Sequence, residues 1–339
     1  MKLLKHSTII VVAVVLVLTI LLSSFLYVNY FQNDAAKLES IDVAYSPFES
    51  LALFWVAQEQ GFFVQNDLNV TVHRYDSGAG ALGGVISGEA DIAVGTAEFP
   101  LVIRALDQEP IQTMAVISKS NFIYLVGRAD RGISEVSDLK GKTIGTTFGT
   151  IAHYFLGRFL LLNGIRLEDV ALVDLRTPTE WVNAVGNGTA DAVATAQPYA
   201  NSAKDGLGDN AVILSLNNNQ PQYTQTIATK KWIANNPELC RRFLNALYQA
   251  ERYTTNHPTE AKIIVKQQMN FSDAYMENVW SENQYSLSLD QSLILAMENE
   301  ARWLISNNLT NQTTIPDFIN YIYFDGLASV QPESVTITL

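Results

Sequence analysis

A seven-residue unit occurs twice in this chain, a hundred positions apart: Val85-Ile-Ser-Gly-Glu-Ala-Asp91 and Val185-Gly-Asn-Gly-Thr-Ala-Asp191. Val85, Gly88, Ala90 and Asp91 match Val185, Gly188, Ala190 and Asp191. Each copy closes an apolar run of helical period: Ala81, Leu82, Val85 and Ile86 in one, Trp181, Val182 and Val185 in the other. The glycine stands where a helix C-terminus wants a left-handed residue. Each copy then enters a short apolar strand, residues 92–95 or 192–195. Helix, tight turn and buried strand, used twice so far apart, predict two similar α/β lobes. A solenoid would repeat at short, regular periods.

The length of 339 residues suits two lobes better than one core. With 48% hydrophobic residues a packed globular protein is expected. The net charge of −12 argues against nucleic acid and against a polybasic membrane surface. The single cysteine, Cys240, excludes an intramolecular disulfide and a cysteine-based zinc cluster. Beside Arg241 and Arg242 on a predicted helix, it reads as a buried, inert thiol. Sequons at Asn69, Asn187, Asn270, Asn308 and Asn311 would accept glycans outside the cell.

Lys2 and Lys5 precede a nearly continuous apolar run, residues 8–31, long enough to span a bilayer. Lysines before the run place the start inside and the remainder outside. A cleaved signal would have a shorter core and an A-x-A-like site. An uncleaved anchor, residues 1–31, is therefore preferred over a signal segment. Residues 32–40 then read as a tether to a domain outside the cytoplasm.

From residue 40 strands and helices alternate, which implies right-handed crossovers and mostly parallel sheets. Strands are expected at 41–45, 70–73, 92–94 and 114–117. Helices are expected at 51–60, 81–87 and 98–106. A second lobe has strands at 142–145, 170–175, 192–195 and 212–215, with helices at 151–162 and 180–185. The chain is expected to cross between lobes near 122–128 and to return near 225–229. The first lobe is then 41–127 with 228–339, and the second is 128–227. After Pro237 everything reads as helix, at 239–253, 259–269, 272–280, 291–307 and 316–323, and packs on the first lobe.

Several stretches resemble one family. They are Ser46-Pro-Phe with its following helix, Gly61-Phe-Phe, the turn 77–80, Gly88-Glu-Ala-Asp-Ile-Ala-Val-Gly-Thr96, Asp138-Leu-Lys-Gly-Lys-Thr-Ile-Gly145 and Gln197-Pro-Tyr. Their order and spacing are similar to the solute-binding proteins of nitrate, sulfonate and taurine ABC importers, a family that includes thiamine-pyrimidine binders. The resemblance covers residues 40–305. It implies a two-lobed, type II-like periplasmic-binding-protein fold with a ligand cleft between the lobes. It further implies a monomer that captures a small molecule and delivers it to a permease and its ATPase.

In open parallel sheets ligands sit beyond the carboxyl ends of strands, and those ends name the candidates. Ser46 to Ser50 open a helix whose free N–H groups could hold an anion, with Ser46 as cap and Phe48 as a stacking ring or core filler. Ser77 and Gly78 let the backbone approach a ligand. Thr96 and Glu98 follow a strand, and Glu98 either meets a ligand amine or favours its helix dipole. Phe148, Gly149 and Thr150 open a second-lobe helix opposite Ser46, with Tyr154 one turn on. Gln197 and Tyr199 follow the repeat strand and offer amide and phenol groups. Trp55 and Trp181 read as core residues, and His153 as a surface polar residue.

Nothing here spells catalysis or a cofactor. The four histidines, His6, His73, His153 and His257, form no metal spacing. No nucleophile elbow or P-loop is present. The cysteine-rich motif of the thiamine-pyrimidine synthases has no match. An enzyme on the same scaffold and a membrane-tethered sensor remain the competing readings.

Overall fold

Two sheets joined by two crossings organise the chain in a computed structural model that describes residues 38–217 and 220–338. The expected anchor, residues 8–31, and most of the tether lie outside the described residues. Among the described residues no helix is long and apolar enough to cross a membrane. From Ser40 onward the chain is one compact unit.

The first lobe begins with β1 (Glu39–Tyr45), α1 (Ala52–Glu59), β2 (Leu68–Arg74), α2 (Gly78–Ser87), β3 (Ile92–Ala97), α3 (Glu98–Leu106) and β4 (Ile111–Ser120). The second holds β5 (Ile123–Arg128), β6 (Thr143–Thr146), α4 (Ile151–Leu162), β7 (Ala171–Asp174), α5 (Pro178–Asn187), β8 (Ala192–Ala196), α6 (Tyr199–Leu207) and β9 (Ala211–Ser215). The chain returns through β10 (Gln222–Thr229) into α7 (Pro237–Asn256), α8 (Pro258–Met269), α9 (Asp273–Val279), β11 (Asn283–Gln284), α10 (Gln291–Ser306) and α11 (Phe324–Val330).

The first sheet runs β11-β4-β10-β3-β1-β2 and the second β7-β6-β8-β5-β9. The parallel pairs β1/β3, β6/β7 and β6/β8 are those of the two repeats. Each sheet also carries one reversed inner strand, β10 against β3 and β4, and β5 against β8 and β9. These are the strands that arrive from the other lobe. The expected crossings therefore move. Ile123–Arg128 lies wholly in the second sheet and Gln222–Thr229 wholly in the first, so the chain crosses at residues 121–122 and 216–221. The order of elements along the chain placed a crossing near each stretch, but only pairing partners could assign the strands to a sheet.

The repeated unit has the same anatomy in both lobes. Gly88 and Gly188 end α2 and α5 in the left-handed region, at φ +83° and +80°, where a side chain would be strained. Asp91 then accepts the Asp42 N–H at 2.9 Å while its own N–H donates to the Asp42 carbonyl at 2.8 Å. Asp191 does the same with Thr143, at 2.9 and 2.8 Å. In both lobes the aspartate thus ties the start of the repeat strand to its parallel neighbour.

Other expectations shift. The Gly-rich stretch is the first turn of α2, not a free turn, because Ser77 Oγ accepts the Gly80 N–H at 3.1 Å. Residues 316–323 form only a short 3-10 turn, Phe318–Tyr321, and α11 follows it. Helix α6 was not expected: it buries only Ala200 and Ala203, too small an apolar stripe to show in the sequence. In the helical tail, α7 and α8 pack on α1 and α10 packs on α3. Phe63 stacks on Phe243 at 5.4 Å and meets Phe54 at 5.5 Å. Cys240 is buried.

Gly95, inside β3, has φ +82°. A Cβ there would stand 2.6 Å from Leu51 Cδ1 and 3.2 Å from the Ser46 carbonyl oxygen. Leu51 is fully buried and has little room to yield. Gly95→Ala is expected to destabilise the fold by about 2–4 kcal/mol, the sum of backbone strain and overpacking. Urea unfolding checks this; an unchanged midpoint would show that Leu51 can move.

Candidate functional site

The carboxyl ends of β3 and of β8 open on one cavity of about 230 Å³ between the lobes. Its walls come from the first lobe (Phe48, Ser50, Ser77, Gly78, Ala79, Gly95, Ala97, Phe99, Pro100, Ile103, and Gln222 where β10 begins), from the second (Ile123, Gly149, Thr150, Ile151, Ala196) and from the first crossing (Phe122). Larger grooves exist, such as one of about 510 Å³ beside Lys230 and Asp317. That groove lies on the first lobe alone, away from the strand ends.

Five expected residues line this cavity: Phe48, Ser77, Gly78, Gly149 and Thr150. The ring of Phe48 lies 6.4 Å from that of Phe122 across the lobe boundary. The helices α2 and α4 both begin at the cavity. Thr150 occupies the N-cap position of α4 without a capping bond, and its hydroxyl donates to the Thr147 carbonyl at 2.7 Å.

The other seven do not line it. Ser46 is fully buried and its hydroxyl donates to the Gly95 carbonyl at 2.8 Å, so it caps no helix. Phe48 is instead the residue before the short 3-10 turn Glu49–Leu51. Thr96 donates to the Gly78 carbonyl at 3.1 Å and pins α2 to the end of β3. Phe148 is 42% exposed and stacks at 5.0 Å on His153. Gln197 turns to α6, accepting the Asn201 N–H at 3.2 Å. Tyr199 packs edge-on against Trp181 at 5.1 Å. Tyr154 is buried, and its hydroxyl donates to Gln220 Oε1 at 3.2 Å. For Ser46, Thr96, Tyr154 and Gln197 a partner group, invisible in a linear pattern, takes the polar atom.

Glu98 turns away from the cavity into the first lobe. One oxygen accepts the Tyr223 N–H at 2.8 Å. The other faces Glu300 of α10, and both carboxyls are wholly buried. Burial raises Glu98 to about 7 and drives Glu300 well above the usual carboxylate range, with Glu98 charge adding to it. A proton on Glu300 thus supplies the donor that Glu98 lacks. Above this pair Trp303 of α10 bridges the lobes. Its ring meets His153 at 4.9 Å, Tyr154 at 5.6 Å and Phe99 at 6.4 Å. His153 is therefore a buried residue and not the expected surface one. Burial lowers its pKa, with Asp174 opposing, and its Nδ1 accepts the Gly149 N–H at 3.3 Å.

Sequence reasoning missed Phe99, Phe122 and Gln222. For Phe122 and Gln222 a signal was available: residues at or next to the places where the chain crosses between lobes border the cleft.

The profile described as NMT1/THI5 like matches residues 49–261. A binding protein of Bacillus subtilis, YtlA, is 26% identical over 303 residues, covering 86% of this chain and 87% of its own. The taurine-binding periplasmic protein of Escherichia coli is 28% identical over 242 residues, 70% of this chain and 72% of its own. Among solved structures, the periplasmic aliphatic sulphonate binding protein of Escherichia coli superposes with a TM-score of 0.72 at 16% identity, over 84% of this chain and 97% of its own. A desulfurization enzyme shares the fold as well, with a TM-score of 0.65 at 15% identity, over 87% and 99%.

The carboxyl pair gives stability a pH dependence. Both folded pKa values lie above the unfolded value near 4.5, so the folded protein holds protons more tightly. That contribution is fully present below about pH 4.5 and is lost as pH rises through about 7. Glu300→Gln keeps a donor for Glu98 without a second charge. It is expected to flatten the loss between pH 5 and 8 and to exceed the parent at pH 8 by on the order of 1–3 kcal/mol. Denaturant titrations at both pH values decide it; equal slopes in parent and variant would exclude the shared proton.

Proposed function

The chain belongs to the NMT1/THI5-like family, and on that premise we propose that it is an extracytoplasmic solute-binding protein. It captures a small molecule between its lobes and delivers it to the permease and ATPase of an ABC importer. The observation that carries this reading is the cavity built by strand ends and helix starts of both lobes at their two crossings. A molecule held there touches both lobes at once, which is how ligand binding energy is coupled to hinge closure.

Candidate solutes are a sulfonate, taurine, a nitrate-like anion or a thiamine-pyrimidine precursor. Phe48, Ser77, Gly78, Gly149 and Thr150 are the proposed contacts. The apolar run 8–31 is proposed as the membrane anchor, and residues 32–40 as the tether that joins it to the domain.

A catalytic role is not proposed, although an enzyme shares the fold. Burial pushes the Cys240 thiol up to about 12, so it is no nucleophile at neutral pH. His153 sits in an aromatic cluster where burial lowers its pKa.

The full chain, extracted in mild detergent from its native host, is expected to carry a small molecule in native mass spectrometry. Adding that molecule back at a hundred times its Kd should stabilise the protein by about 2.7 kcal/mol. Small-angle scattering should show the domain contract. An added solute that binds without stabilising the fold or changing its dimensions would count against capture between the lobes.

A further inference from the structure

Gly157 stands in the middle of α4, where a glycine weakens a helix relative to alanine. Its backbone is ordinary right-handed helix, so no conformational need keeps a glycine there. The space around it does. A Cβ on Gly157 would stand 2.9 Å from Trp303 Nε1 and 3.4 Å from Cε2 and Cζ2. Trp303 belongs to α10, which packs on α3 of the first lobe, while α4 packs on β5 and β8 of the second. The missing side chain is thus a notch in one lobe that receives an indole from the other.

The indole is hemmed in. Its ring meets His153 at 4.9 Å, Tyr154 at 5.6 Å and Phe99 at 6.4 Å. One turn back on α10, Glu300 is wholly buried against Glu98 and holds the helix to the first lobe. On the other side, α4 is tied to the return crossing by residues flanking the notch. The Tyr154 hydroxyl donates to Gln220 Oε1 at 3.2 Å, and the Arg158 guanidinium donates to the Asn217 carbonyl at 3.2 Å. The contact therefore lies beside the hinge, where packed elements turn a small displacement into a domain rotation. Helix α4 carries Ile151 of the cavity wall, and α3, under α10, carries Phe99, Pro100 and Ile103.

We propose that Trp303 seated against Gly157 is the pivot that sets the angle between the lobes, and with it the width of the cavity. Neither residue is among those lining the cavity, so the two act as a positioning pair. The pivot works whichever solute the cavity holds, and its test needs none.

The test is double electron–electron resonance on the full chain in mild detergent, without added solute. Spin labels go on Val64→Cys and Lys140→Cys, exposed sites of the first and second lobes; Cys240 is buried and stays unlabelled. Gly157→Ala improves helix propensity, yet the indole must retreat by roughly 0.5–1 Å to restore an ordinary contact. The mean distance between the labels is expected to shift by about 1 Å or more. Trp303→Ala removes the knob and should broaden the distance distribution, with Trp303→Leu in its place should the alanine variant not fold. In the double variant the added methyl has no indole to meet, so its distribution should match that of the Trp303 variant alone. A parental mean distance in Gly157→Ala would overturn the proposal, even with a lowered melting temperature, because the contact would then be packing only. So would a parental width in the Trp303 variant, or a shift from Gly157→Ala that persists without the indole.

Discussion

A strand that arrives from the other lobe must enter its new sheet from the cleft side. Apart from the two-residue edge strand β11, the strands that pair with β10 and β5 run towards the cleft, so the arriving strand runs against them. This constraint explains why β5 and β10 are the reversed inner strands of their sheets. It also explains why both sit inside their sheets and not at the edges. An inner strand pairs on both sides, so β10 is hydrogen-bonded to β3 and β4, and β5 to β8 and β9. The crossings are thereby anchored at both ends, and the free chain between them is only a few residues long. Short, anchored crossings confine relative lobe motion to a hinge. They also bring Phe122 and Gln222 to the floor of the cavity.

The two repeats provide the frame in which that hinge works. Asp91 and Asp191 each accept a backbone N–H at 2.9 Å from the neighbouring parallel strand. A charge-assisted bond at the start of a buried strand fixes register, and a one-residue slip would turn every core side chain outward. The strand that follows then delivers its carboxyl end, Gly95 to Ala97 in one lobe and Ala196 in the other, to the cavity. The motif most visible in the sequence is thus a positioning device, and none of its residues is among those lining the cavity.

Polarity is sorted by depth. The cavity wall is apolar, while the carboxylates of Glu49, Glu98 and Glu300 lie behind it, wholly buried and raised in pKa by desolvation. Each turns to a group on another element: Tyr275 on α9, the Tyr223 N–H on β10, or the partner carboxyl. Tyr124 of β5 donates to Glu282 at 2.5 Å, which adds a polar contact between the lobes beside the crossings. Such groups are costly to bury singly and specific once paired. They hold the tail helices and the second lobe in place around a site that itself carries no charge.

The sequence by itself determined the two-lobed α/β class, the left-handed turns at Gly88 and Gly188, and helices α3 and α4 to the residue. These follow from local periodicity and backbone sterics, which a linear pattern records. It also pointed to Phe48, Ser77, Gly78, Gly149 and Thr150, because strand ends followed by helix starts are legible. Only the tertiary structure decided that Ser46, Thr96 and Gln197 spend their polar groups on Gly95, Gly78 and Asn201. It alone buried His153 under Trp303, 150 residues away in the chain, and left Gln222 with an open acceptor at the hinge. The physical reason is the same throughout. Whether a polar side chain faces a ligand or a neighbour depends on which distant backbone group lies within 3 Å or so of it, a distance that only the folded chain sets.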